Sequence, residues 1–183
     1  TLNWTANDAV GTEILYLAIG GGAPTATQLA FSVQPSNAVS TVAISPAIKV
    51  QVRDAGGNLV TSATNSITLA IQNNAGPGGL LAGTLTQAAV NGEATFSNIS
   101  IDKIGTGYTL QATSGALTSV TSAPFNITVG AAAKLAFTTQ PGNGTGGSNL
   151  ATQPVVTVQD AGGNTVTTAT DSITLAIGTN PSS

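Results

Sequence analysis

The stretch Val50–Ile71, VQVRDAGGNLVTSATNSITLAI, returns nearly letter for letter at Val156–Ile177 as VTVQDAGGNTVTTATDSITLAI. Ahead of it, QLAFSVQP (Gln28–Pro35) is answered by KLAFTTQP (Lys134–Pro141). Every matched pair stands 106 positions apart, Gln28 to Lys134 and Asp54 to Asp160 alike, with no gap. An ungapped offset of that length marks tandem copies of one domain-sized unit.

Within a copy the apolar residues alternate with a period of two, which is the spacing of a half-buried strand. Leu29, Phe31 and Val33 form one such set, and Ile48, Val50 and Val52 a second, with Lys49, Gln51 and Arg53 facing out. The DAGGN stretch from Asp54 to Asn58 is a turn, where glycine supplies positive φ and aspartate binds nearby amides. Ile67, Leu69 and Ile71 point inward in the next strand, and the Gly/Pro loop NNAGPGG (Asn73–Gly79) follows. A weaker strand is expected over 83–90, then a hairpin at Asn91-Gly92. Ala94, Phe96, Ile99 and Ile101 turn inward with a change of phase near Asn98. Gly107, Tyr108, Leu110 and Ala112 mark a sixth strand, and Phe125, Ile127 and Val129 a seventh. Seven short alternating strands with regular turn signals predict an immunoglobulin-like β-sandwich. Phe31 and Phe137, equivalent in the two copies, are expected in like surroundings.

The fold class is therefore all-β: tandem immunoglobulin-like sandwiches of about seven strands per repeat, with partial repeats at both ends. The expected domains are a β-hairpin over 1–22, a complete repeat over 23–130, and the first half of a second repeat over 131–183. In the hairpin, TLNWTA and TEILYLAI flank the turn NDAVG, and GGGAPTAT (Gly20–Thr27) links it to the repeat. The second repeat carries its third inward set, Ile173, Leu175 and Ile177, and then stops. Half a sandwich leaves an apolar face and an unpaired edge open to water. Two readings account for this: the chain is a window on a longer array, or the opening hairpin of one chain completes the half-domain of the next by strand addition.

The side-chain inventory excludes much chemistry. The chain has no His and no Cys, which removes the usual general base, the Ser-His-Asp and Cys-His arrangements, and any thiolate metal site. Lys49, Arg53, Lys103 and Lys134 are its only cations, and the net charge is −3, so a phosphate backbone finds no basic patch. The carboxylates are Asp8, Glu13, Asp54, Glu93, Asp102, Asp160 and Asp171. Asp54 and Asp160 are one position in two copies, so they read as turn formers rather than a glycosidase pair. Calcium would need more carboxylates than DAGGN holds. Trp4 and Tyr16 read as core of the hairpin, with sugar stacking as the alternative. Sequons stand at Asn3, Asn98, Asn126 and Asn143. No catalytic residue, cofactor site or metal site is assigned, and no apolar run reaches the ~18 residues of a membrane span.

The motifs QLAFSVQP, VQVRDAGGNLV, SITLAI, VNGEATFSNISI (Val90–Ile101) and GTGYTLQATSG (Gly105–Gly115), in this order, resemble the bacterial immunoglobulin-like repeats of large surface proteins. These include adhesins of the invasin and intimin type, and similar domains occur in phage capsids and tails. The resemblance runs from Gln28 onward. It implies secretion to the cell surface, a spacer or display role without chemistry, and a tyrosine-corner role for Tyr108. The expected partners are neighbouring repeats, a homo-oligomer or filament formed by strand addition, or a glycan. No nucleic acid is expected. Two alternatives stand beside the spacer: a glycan- or receptor-binding adhesin module using NNAGPGG and 142–147, and a virion or fibre subunit.

Overall fold

The computed structural model describes residues 23–179. The expectations for 1–22, including those for Asn3, Trp4 and Tyr16, lie outside the described residues. Those residues form strands and turns, with no helix among them.

The first copy contains β1 (Gln28–Val33), β2 (Ala38–Val39), β3 (Ile48–Arg53), β4 (Ser66–Asn73), β5 (Leu81–Ala82) and β6 (Thr86–Ala88). It continues with β7 (Glu93–Phe96), β8 (Ser100–Ile101), β9 (Gly105–Thr113), β10 (Val120–Thr121) and β11 (Phe125–Thr128). One sheet has the order β1-β3-β7. The other runs β2-β11-β9-β4-β6, with β10 paired to β9, and a short pair joins β5 to β8. All pairings are antiparallel except β2 on β11.

Both main sheets feed one continuous core. Val50, Val52, Ala94 and Phe96 enter it from the first, and Ile67, Leu69, Tyr108, Leu110, Ala112, Phe125 and Ile127 from the second. The period-two alternation is what makes this possible, since every second side chain of a strand faces the same way. Ile99 and Ile101 are also buried. The change of phase before them has a visible cause: Asn98 Oδ1 accepts the Thr84 amide at 2.9 Å and its Nδ2 reaches Thr84 Oγ1 at 3.0 Å, so residue 98 leaves the strand to bind its neighbour. At Asn91-Gly92 both residues have positive φ, 51° and 78°, as a two-residue hairpin turn requires.

The chain enters this copy at one end of the sheets and leaves at the other. Gln28 lies opposite Arg53, beside the Asp54 turn. Thr128, at the far end, lies opposite Val39 and accepts the Ser40 amide.

Some expectations need correction. The strand expected over 83–90 is confined to Thr86–Ala88, the residues in register with β4, with the Leu69 amide on the Leu85 carbonyl and the Ala89 amide on the Asn65 carbonyl closing its two ends. The last strand stops at Thr128, so Val129 lies outside it and is exposed rather than inward. Several short segments, β2, β5, β8 and β10, divide the copy more finely than seven strands.

The second copy contributes β12 (Lys134–Thr139) and β13 (Val155–Gln159). Their register repeats that of β1 on β3 position for position, down to the irregularity after Phe137 that matches the one after Phe31. Beyond this the likeness ends. The hexapeptide SITLAI is β-strand at 66–71, yet no strand is formed at 172–177. Ile173, Leu175 and Ile177 were expected to face a core, and they are exposed instead. In the first copy that hexapeptide is held by β9 on one side and β6 on the other, and the second copy has no counterpart of either within the described residues. An extended segment without a partner keeps its amides in water. Phe31 packs against the core while Phe137 is 47 % exposed, for the same reason.

Identical hexapeptides should therefore respond differently to one substitution. Ile67→Ala, at a fully buried side chain, is expected to cost about 2–5 kcal/mol in denaturant unfolding of the 23–130 core. Ile173→Ala should change the stability of the same transition by less than about 0.5 kcal/mol.

Candidate functional site: the joint between the two copies

The two DAGGN turns are built alike. Asn58 N donates to Asp54 Oδ1 at 2.8 Å, and Asn164 N to Asp160 Oδ1 at the same distance. Gly57 and Gly163 have φ of 82° and 81°, a left-handed conformation that favours glycine. The residue opening each copy steadies its turn: Gln28 Nε2 donates to the Asp54 carbonyl, and Lys134 Nζ to the Ala161 carbonyl.

Their surroundings differ. The Asp54 turn is largely exposed, whereas Asp160 and Asn164 are buried. What buries them is the exit end of the first copy. Asn164 Nδ2 donates to Ser40 Oγ at 2.9 Å and to the Asp102 carbonyl at 2.8 Å, and its Oδ1 accepts the Ile104 amide at 3.2 Å. Lys103 Nζ donates to the Gly162 carbonyl at 2.6 Å, and the linker amide of Gly130 to Asp160 Oδ2 at 3.0 Å. Both Asp160 oxygens also lie within 3.0 Å of Asn164 Nδ2. Four acceptors thus share the two protons of one side-chain amide.

The socket is held from within the first copy. Ser40 Oγ donates to the Asp102 carbonyl at 2.8 Å, and Asp102 Oδ1 accepts the Leu80 amide at 2.7 Å. Tyr108, fully buried with its ring tilted against that of Phe125, donates its hydroxyl to the Lys103 carbonyl at 3.0 Å. Burial pushes the Tyr108 phenol upward, so it stays a neutral donor. The loop NNAGPGG packs here too, since a Cβ at Gly76 would strike the Tyr108 hydroxyl and the Ile104 carbonyl. Its glycines are thus part of the scaffold behind Lys103. The other candidate loop, 142–147, belongs to the second copy, and its internal bonds run to Thr152 and Ala151.

Burial alone would raise the Asp160 pKa, but the Gly130 amide and the side chain and amide of Asn164 outweigh it and hold the carboxyl at about 2. Asp54 is also shifted down, by the Asn58 amide and then its side chain. Part of the effect therefore belongs to the turn itself, and what the joint adds is the Gly130 bond together with a smaller one from the Ser40 hydroxyl. Elsewhere, Glu93 is shifted down by Lys49, Ser32 and Gln51 on the outer face of β1, β3 and β7, a partly exposed cluster of the kind worth at most about 1 kcal/mol. Asn98 bonds to Thr84, and Asn126 Oδ1 accepts the Gly107 amide. Among the described residues, no three His, Cys, Asp or Glu side chains gather as a metal site would require.

Sequence reasoning treated Asp54 and Asp160 as equal turn formers and missed the joint. The letters of the two turns are the same, so the only available signal was the short connection from Thr128 to Lys134. No protein-family model matches the chain, and no curated protein matches it.

Two measurements test the joint. A Cβ at Gly162 would collide with the Asp102 carbonyl and the Ser40 hydroxyl, whereas one at Gly56 meets only the adaptable side chains of Asn58 and Asp54. Gly162→Ala is therefore expected to undock the turn, seen as faster hydrogen exchange at the Gly130 amide, and Gly56→Ala to leave that amide unchanged. Acid should undock it as well. The ionised carboxylate is the bound form, so its contribution is complete above about pH 4 and fades as pH falls towards 2. Exchange at Gly130, corrected for intrinsic rates, should rise across that window, and no rise would contradict the assignment.

Proposed function

We propose that the chain is a stretch of a non-enzymatic structural spacer: immunoglobulin-like β-sandwiches in tandem, in an extracellular bacterial surface protein or filament. The observation that carries this reading is the joint. Five hydrogen bonds between the Asp160–Asn164 turn and Ser40, Asp102, Lys103, Ile104 and Gly130 hold the second copy against the first across a short linker. A connection of that kind limits bending between neighbours and so keeps a row of units extended, as in other quasi-linear repeat proteins. Entry and exit at opposite ends of the sheets support the same reading, because such a unit can be repeated without reversing the chain.

Secretion and surface display follow from the family resemblance together with a side-chain set poor in cleavage sites for trypsin-like proteases. The tyrosine-corner role is supported by the bond from Tyr108 to the carbonyl five residues upstream. The 131–183 unit would be a half-sandwich whose open face, including Leu135, Phe137, Ile173 and Leu175 around a cleft of about 280 Å³, is left uncovered among the described residues. The glycan-binding alternative gains no particular support from NNAGPGG, which backs the socket.

The reading makes the first copy self-sufficient. A chain of residues 23–130 should remain a cooperatively folded monomer and should bind much less of an apolar-surface dye such as ANS than 23–183 does. Loss of cooperative unfolding in 23–130, or equal dye binding by both chains, would contradict it.

A further inference from the structure

We propose that the Asp54–Asn58 turn is itself a docking plug, and that its partner is the exit end of another β-unit of this chain's own kind, placed ahead of Ala23. That end would present a serine hydroxyl, a turn carbonyl and a lysine, as Ser40, Asp102 and Lys103 do. The inference deepens the spacer reading and rests on it.

The molecule contains its own control. One DAGGN turn is seated in such an end and the other is not, yet both have the same fold before any partner is considered. In the seated turn, Asn164 Nδ2 reaches out to Ser40 and Asp102. In the exposed turn, Asn58 Nδ2 reaches, among the described residues, only its own Asp54, at 3.2 and 3.3 Å. These are long contacts at the limit of a useful bond, so its donors are available. Gly56, the counterpart of Gly162, is exposed, and no other unit touches this turn among the described residues. A small residue there leaves the close approach open that Gly162 uses.

The occupant follows from what is already taken. The socket of the first copy holds Asp160 and Asn164. The second copy has Gly146 where the first has Ser40, so it lacks the hydroxyl. The plug also lies at the entry end of the sheets, beside Gln28, which is where a preceding unit would sit. One bond does not carry over: Pro24 stands at the place of Gly130 and has no N–H to offer the Asp54 carboxylate. This joint would therefore rest on the asparagine and on the lysine-to-glycine contact, and it should open at lower load than the one at Asp160.

The test is the full chain extended by a second copy of residues 23–128 placed directly ahead of Ala23, which preserves the 106-residue offset. NMR relaxation would report whether the added unit and the original first unit tumble together. The expected result is one shared correlation time that splits into two when Gly56 is changed to Ala, or when Ser40 of the added unit is changed to Ala. In the unextended chain Gly56→Ala should change nothing. Independent tumbling with Gly56 intact, beside a folded added unit, would overturn the plug and leave the spacer reading standing. An added unit that does not fold would remove the spacer reading and the plug with it.

Discussion

A β-strand exists only where another strand meets its backbone, and the pairing of β4 with β9 is the contact on which this molecule depends. β4 supplies Ile67 and Leu69 to the core, and β9 supplies Tyr108, Leu110 and Ala112. The register that joins them places both sets on one face. The second copy repeats the letters of β4 without its partners, and those letters form no strand. Local propensity is the same in both places, so the difference lies in tertiary pairing alone.

The joint shows the same logic at the scale of a turn. DAGGN folds locally, through an aspartate that binds the amide four residues on and a glycine with positive φ. Whether it stays a surface turn or becomes an inter-copy contact depends on what meets it. Burying an asparagine and an ionised aspartate is costly unless each polar atom finds a partner, and no buried side-chain polar atom is left without one among the described residues. Tyr108 links the two levels, because the residue that fills the core also fixes the Lys103 backbone that forms the socket.

Much of the first copy was legible in the sequence. Alternation placed Val50, Val52, Ala94, Phe96, Ile99, Ile101, Leu110 and Ala112 in the core, and Asn91-Gly92 marked its own hairpin. These signals are local, and local geometry answers them. The two-residue strands were not legible, since each is defined by a neighbour distant in sequence. Nor was the fate of Ile173, Leu175 and Ile177, which copy a buried pattern but lack the strands that would bury it. The joint was hidden for a deeper reason: the same five residues are largely exposed at 54–58, while at 160–164 the aspartate and asparagine are buried, so no reading of those letters could tell the two apart.

The most direct test of this account compares the two SITLAI segments by amide hydrogen exchange in the intact chain. The Leu69 amide donates to the Leu85 carbonyl at 2.8 Å inside a paired strand, so its exchange should require opening of the core. The Leu175 amide, in the same six residues, should exchange faster by several orders of magnitude. Comparable protection at both positions would mean that the hexapeptide holds its strand without β6 and β9, and the dependence on pairing argued above would be wrong.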